Sequence, residues 1–263
     1  MSDILQVQAR ERVLWLTLNR PEKRNALNSD LCRLLVDTIG KADRDPQVGA
    51  IVLTANGPAF SAGMDLDELG NLAPGALSNV HEQLFTLNAR IVTPILASVT
   101  GPALGGGLGL VANCHIVVAN EAARFGLTEV KLGIWPFLVF RAVKVALGER
   151  RAVALALTGR IFDAPEAKEL GLVQEIHPEP EKRVLEIAAE IAGYSPTAIR
   201  SGLGFVQEVR GKSWDIAGLI ARRVREELFQ SADFYEGIRA FREKRKPQWP
   251  SAREHDDYPG DQL

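Results

Sequence analysis

Two cysteines stand in 263 residues, Cys32 and Cys114, too few for a disulfide framework and both set among apolar neighbours. That scarcity points to a reducing compartment. Nowhere do about 18 apolar residues run unbroken, so no segment has the length of a membrane span. The N-terminus, MSDILQVQARERVLWLTL, carries acids and arginines where an export signal needs an apolar stretch, and the expected location is the cytoplasm. Positive charge is not in excess either: 31 Lys plus Arg against 33 Asp plus Glu give a net charge of -2, so no general field draws nucleic acid. Repeats at a solenoid period are absent. What is present has ordinary proportions, with 46% hydrophobic and 24% charged residues, which excludes disorder, collagen and coiled coil as the main architecture. A chain of this length can bury roughly 70% of its extended surface.

Strand and helix signals alternate through the first third, the pattern of an α/β fold. Residues 4 to 9 and 13 to 19 read as a hairpin. Asn28, Ser29 or Asp30 caps a helix to about Ala42, with Leu31, Leu34, Leu35 and Ile39 at helical spacing. AIVLTA (50 to 55) and PILASV (94 to 99) read as buried strands, with a helix over 74 to 92 between them. A short apolar helix and the strand HIVVA (115 to 119) follow a glycine-rich turn. From 137 onward the pattern is mainly helical, with one strand near LVQEI (172 to 176). We expect an α/β core over 1 to 195, a C-terminal helical region over 196 to 250, and a flexible tail over 251 to 263, polar from Arg253.

Four segments can carry chemistry. AFSAGMDLDEL (59 to 69) follows a strand and can open a short helix, leaving the Met64 amide without an intrahelical partner; the alternative is an ordinary strand-to-helix loop. TGPALGGGLGLVANCH (100 to 115) follows the next strand. Three glycines without Cβ atoms let a ligand approach the backbone, and a helix opening there aims amides at a negative oxygen. The same glycines could serve only tight packing of a helix on a sheet. Gly107, Gly109 and Ala112 also fit the dinucleotide pattern GxGxxA, but its acid, Glu121, comes 12 residues after Gly109, where about 20 are expected. In ARFGLTEVKLGIWPF (123 to 137), Glu129 is the one carboxylate among Phe125, Leu127, Val130, Leu132, Ile134, Trp135 and Phe137. Such surroundings raise a carboxyl pKa and suit proton transfer near neutral pH; the alternative is a solvated acid in a first helical turn. The basic groups Arg20, Lys23 and Arg24, and Arg242, Lys244, Arg245 and Lys246 beside Phe241 and Trp249, can hold phosphates and a base ring, or be solvated salt-bridged faces.

NRPEKRNALN, AFSAGMDLDEL, GPALGGGLGL, FGLTEVKLGI and LTGRIFDAPEAKELGLV, in this order and over about 13 to 249, resemble the crotonase superfamily, also called the enoyl-CoA hydratase/isomerase family. The resemblance implies a spiral of repeated ββα turns with C-terminal helices that support trimers or dimers of trimers. It implies an acyl-CoA thioester as substrate, with no separate cofactor because CoA is carried by the substrate, and with no metal, nucleic-acid or membrane partner. The Met64 and Gly106 amides would polarise the thioester carbonyl, and Glu129 would be the catalytic acid/base. Lys23, Arg24, Ala26, Ala62, Asp65 and Leu66 match the stretch that lines the CoA groove in relatives. Phe241 and Lys244 match residues that contact the adenosine end, in some relatives from a neighbouring subunit.

Hydratases of that family hold a water between two glutamates. Here the second is Glu129 and the first is replaced by Gly109. Hydration needs a base for the water and a proton for the α-carbon, whereas moving a double bond from the 3 to the 2 position needs one base that takes a proton from C2 and returns it at C4. The segment GLTEVKLGIWPF is also similar to that of Δ3,Δ2-enoyl-CoA isomerases. The expected activity is therefore an enoyl-CoA isomerase, with a hydratase using another acid, Asp65, Asp67 or Glu68 being nearest in sequence, or a catalytically silent acyl-CoA-binding protein as alternatives. Leu69, Leu72, Leu77, Phe85, Trp135 and Phe137 are candidates for an acyl tunnel, and an apolar wall from Trp135 to Phe140 would keep water out.

Overall fold

The computed structural model of the chain describes residues 4–69 and 78–252. Strands β1 (Leu5–Arg10) and β2 (Val13–Leu18) form the expected hairpin, with Arg10 opposite Val13. Helix α1 (Ser29–Arg44) starts where the Asn28 side chain accepts a hydrogen bond from the Leu31 amide at 3.1 Å, and it buries Leu31, Cys32, Leu35 and Ile39 on one face. The chain then enters β3 (Ala50–Ala55), parallel to β2 and buried at every residue, as a strand covered on both faces must be.

From β3 onward, successive turns of chain place one strand in each of two sheets. Helices α2 (Leu66–Leu69) and α3 (Ser78–Leu84) lead to β4 (Ile95–Val99), then β5 (Pro102–Leu104) and α4 (Gly106–Ala112). The next turn is β6 (Ile116–Ala119), β7 (Arg124–Gly126) and a 3-10 helix over Glu129–Leu132. Helices α5 (Phe137–Leu147) and α6 (Glu149–Thr158), strand β8 (Ile161–Asp163), α7 (Ala164–Leu170), β9 (Glu175–Ile176) and α8 (Pro180–Ala192) complete the core. The first sheet has the order β1-β2-β3-β4-β6-β9 and the second β5-β7-β8. This is the α/β spiral expected from the resemblance. Helix α8 covers one face of the large sheet, with Val184, Ala188 and Ala192 against Trp15, Val52, Leu96 and Val118.

Three details differ from the sequence reading. The helix expected over 74 to 92 is Ser78–Leu84 plus a separate 3-10 turn, Leu87–Ala89, while 74–77 lie outside the described residues. It breaks because the Thr86 hydroxyl donates to Glu82 O at 2.6 Å, and Asn113 holds Phe85 O and the Asn88 amide. Strands β5, β7 and β8, three residues each, are too short to show a period. The strand near 172 to 176 shrinks to Glu175–Ile176.

Helices α9 (Pro196–Glu208), α10 (Trp214–Phe229) and α11 (Ala232–Glu243) form the C-terminal region, and neither α9 nor α10 buries a residue completely. Polar contacts tie it to the core: Gln207 Nε2 donates to Ile91 O at 2.7 Å, and Trp249 Nε1 to Gly193 O at 2.7 Å. Where the expected tail begins, Pro250–Ala252 form a 3-10 turn in which the Ser251 amide and hydroxyl donate to Asp233; 253–263 lie outside the described residues. Among the described residues no helix is long and apolar enough to cross a membrane.

Candidate active site

The second sheet explains how three distant segments meet. Ser61 bridges Ala103 of β5 in parallel, and Ala103 pairs with Phe125 of β7 in parallel. Three chain segments thus run side by side and leave at the same end: Met64 follows the first, Gly106 the second and Glu129 the third. They line one small cavity of about 50 Å³ with Ala62, Gly63, Leu66, Gly105, Thr128, Leu132 and Ile134.

Two glycines allow this convergence. Gly63 has φ +94°, and a Cβ there would lie 2.8 Å from Leu104 O and 3.1 Å from the Gly106 nitrogen. Gly105 has φ +51°, and a Cβ there would lie 3.1 Å from Glu129 Oε1. Any side chain at either position would push apart the groups that meet here. Among the described residues, neither the Met64 nor the Gly106 amide donates to another group of the chain. Both residues line the cavity, and two unspent amide donors in one cavity are what stabilisation of a developing oxyanion requires.

Glu129 opens its 3-10 helix, yet it is buried, which decides against the solvated first-turn acid. Among the described residues its Oε2 has no hydrogen-bond partner. Burial pushes its pKa above the ordinary carboxylate value, and its own backbone amide opposes this only partly. Thr128 is the other lining residue with a polar side chain.

Gly109 lies in α4, one turn past Gly106. A Cβ on it would lie 2.9 and 3.0 Å from Phe85 Cδ1 and Cε1 and 3.0 Å from Val139 Cγ1. The position to which the resemblance assigns a second acid therefore has apolar side chains packed against it. The three nearby carboxylates are engaged elsewhere: Asp65 pairs with Arg20 at 3.0 Å, Asp67 with Lys23 at 2.7 Å, and Glu68 accepts from the Ser29 amide and hydroxyl. Gly107 is a packing glycine, since a Cβ there would lie 2.4 Å from Ser61 O. Packing thus accounts for the glycines that suggested a dinucleotide pattern.

The loop over 20 to 27 runs beside 62 to 66. The Ala62 amide donates to Arg24 O at 2.9 Å, Leu27 to Gly63 O at 2.8 Å and Asp65 to Leu27 O at 3.2 Å, while Arg20 holds both Ala26 O and Asp65. Lys23, Arg24, Ala62 and Leu66 are exposed along this seam, whereas Ala26 and Asp65 are buried in it. Asn25, inside the stretch matched at 23 to 26, and Ser61, inside AFSAGMDLDEL, lock it, a role the sequence reading did not single out. Asn25 is fully buried at φ +54°, its Nδ2 donates to Asn56 O and Ala59 O at 2.8 Å each, and the Ser61 hydroxyl donates to Asn25 O at 2.8 Å. An Asn within a Pro-containing loop, suited to a left-handed turn, was the available signal.

Phe241 and Lys244 do not reach this cavity within one chain. Phe241, 85% exposed, lines a separate groove on α11 with Ser195, Ile238 and Trp249, and Lys244 ends that helix at φ +53°. Phe137 also faces outward, 74% exposed, so the wall beside Glu129 is Leu132 and Ile134 rather than Trp135 to Phe140. Of the other tunnel candidates, Phe85 packs behind Gly106, and Leu72 and Leu77 lie outside the described residues, as does the side chain of Leu69. Burial pushes both cysteine thiols up to about 12, and neither lines the cavity. Among the described residues no group of three or more His, Cys, Asp or Glu could hold a metal ion.

The sequence matches the enoyl-CoA hydratase/isomerase family profile over residues 8–252. The mevalonyl-coenzyme A hydratase of Aspergillus fumigatus is 38% identical over 247 residues, covering 90% of this chain and 91% of that one. The 2,3-dehydroadipyl-CoA hydratase of Escherichia coli is 34% identical over 252 residues, covering 94% and 98%. The crystal structure of an enoyl-CoA hydratase from Mycobacterium smegmatis superposes with a TM-score of 0.89 at 29% identity, covering 94% of this chain and 99% of that one.

Proposed function

The chain belongs to the enoyl-CoA hydratase/isomerase family, and on that premise we propose that it is an enoyl-CoA isomerase shifting a double bond from the 3 to the 2 position of an acyl-CoA thioester. The thioester oxygen sits between the Met64 and Gly106 amides. Ionised Glu129 removes a proton from C2, and the negative charge of the resulting dienolate collects on that oxygen. Each such donor is typically worth about 3 to 4 kcal/mol to the transition state. Protonated Glu129 then delivers the proton to C4, leaving the double bond conjugated with the carbonyl. One carboxyl group completes the cycle, and its raised pKa matches both roles.

The observation that carries this reading is the packing of Phe85 and Val139 against Gly109, which leaves no room for a second carboxylate. The seam of Lys23, Arg24, Ala26, Ala62, Asp65 and Leu66 would hold CoA. Phe241 and Lys244 would contact its adenosine end from another copy in a homotrimer or dimer of trimers, a reading supported by the exposure of Trp214, Ile216 and Leu219 on α10. The cytoplasm is the location we assign.

A second reading, hydration of a 2-enoyl-CoA, is favoured by the names of the relatives, several of which are hydratases. The two are separated by supplying a 3-enoyl-CoA and a 2-enoyl-CoA in parallel while following conjugated thioester absorbance and product mass. Gain of absorbance from the first without a mass change, with the second left intact, supports isomerisation. Rapid addition of water to the second overturns it.

A further inference from the structure

A cavity of about 160 Å³ lies between the core and the C-terminal region, and no step of the chemistry above uses it. Arg12 from the turn between β1 and β2, Arg44 at the end of α1 and Arg200 on α9 all line it. Among the described residues no acid stands in its wall, so these three cations are its only charged lining.

Little of that charge is neutralised. Arg12 is half-buried and gives its guanidinium protons to main-chain carbonyls, Ala192 O at 2.8 Å, Pro46 O at 3.2 Å and Gln47 O at 3.4 Å. Burial lowers its pKa, and the carboxylate opposing this, Asp233, is itself held by the Ser195 and Ser251 hydroxyls. Arg200 donates to Thr93 Oγ1 at 3.1 Å and stands 3.7 Å from Asp43 Oδ1, an oxygen that already accepts from the Val92 and Thr93 amides. Among the described residues the Arg44 guanidinium has no ion-pair partner, and it also borders a groove with Lys41, Arg90 and Asp37. Three like charges around one partly desolvated hollow repel one another, and an anion between them replaces that repulsion with charge-assisted hydrogen bonds. The guanidinium fork matches phosphate oxygens. A water needs about 10 to 15 Å³, so the space admits a phosphate or a small phosphomonoester but not CoA.

We propose that this cavity binds a phosphate-class oxyanion between Arg44 and Arg200, with Arg12 behind them, and that the bound anion fastens α9 to the core. The site is separate from the acyl-CoA cavity and does not depend on the proposed chemistry. Thermal melts of the full chain are run against inorganic phosphate up to about 10 mM, with sodium chloride at matched ionic strength as reference. Because a ligand that binds only the folded chain stabilises it by mass action, the melting temperature should rise and saturate with phosphate but not with chloride. Arg44→Gln, an exposed change that leaves the fold intact, and Arg200→Gln should each raise the half-saturating phosphate concentration about tenfold or more, the loss of one charge-assisted contact. Lys23→Gln, on the seam assigned to CoA, should leave it within twofold. No saturable response, or one that survives Arg44→Gln, overturns the inference. So does a response lost in Lys23→Gln and kept in Arg44→Gln, which would place the anion at the CoA seam.

Discussion

Replacing Gly109 with alanine isolates the steric reason for a one-acid site. In the interior of a helix, Gly→Ala is worth about 1 kcal/mol of stability. Against that gain stands a methyl group placed 2.9 to 3.0 Å from two Phe85 ring atoms and 3.0 Å from Val139, both buried. Overpacking of a filled core costs about 1 to 3 kcal/mol, and three simultaneous contacts place this site in the upper part of that range. The net is a loss of about 1 to 2 kcal/mol, or about 2 to 8 °C in melting temperature for a chain of this size. Differential scanning calorimetry reads it directly. Phe85→Leu made together with Gly109→Ala should recover part of the loss relative to the sum of the single changes, because the two side chains share one space. A rise in melting temperature for Gly109→Ala would refute the reasoning, since it would mean that room for a second carboxylate exists.

Further outcomes follow from the same geometry. Glu129→Gln should lower kcat by about 10² to 10⁴, the usual contribution of a positioned acid or base, while calorimetry with hexanoyl-CoA shows affinity within a few-fold. The pH profile of kcat/KM should fall on the acid side at a pH above the ordinary glutamate value, because Glu129 must be ionised to act and burial raises its pKa. For stability the sign is the reverse: the folded chain holds this proton more tightly than the unfolded one. Its contribution is present below the unfolded pKa and is lost as pH rises through the folded one, and Glu129→Gln removes that slope in pH-dependent thermal melts. Arg20→Met leaves Asp65 buried without its partner, at a cost of about 3 to 5 kcal/mol in urea unfolding, and should weaken acyl-CoA binding by loosening the seam beside Met64.

The long elements were legible because each buries a periodic face: Leu31, Leu35 and Ile39 mark α1, and the unbroken apolar run of 50 to 55 marks a strand covered on both sides. The candidate acid and amides were legible because glycines after strands and a carboxylate among apolar residues are chemically unusual. Hidden from the sequence were the contacts that convert these segments into one cavity. The pairing of Ser61 with Ala103 and of Ala103 with Phe125 is long-range and uses strands of three residues or fewer, so no local period reports it. Likewise, that Gly109 is held as glycine by Phe85 depends on a residue far earlier in the chain, just past the end of α3.

The most direct measurement is a crystal structure of the Glu129→Gln chain with a 3-enoyl-CoA bound. The account predicts the thioester oxygen within about 3 Å of both the Met64 and Gly106 nitrogens, with C2 and C4 both within reach of the residue 129 side chain and no second carboxylate beside them. A thioester oxygen bound away from those two amides, or a water held over C3 by another acid, would contradict it.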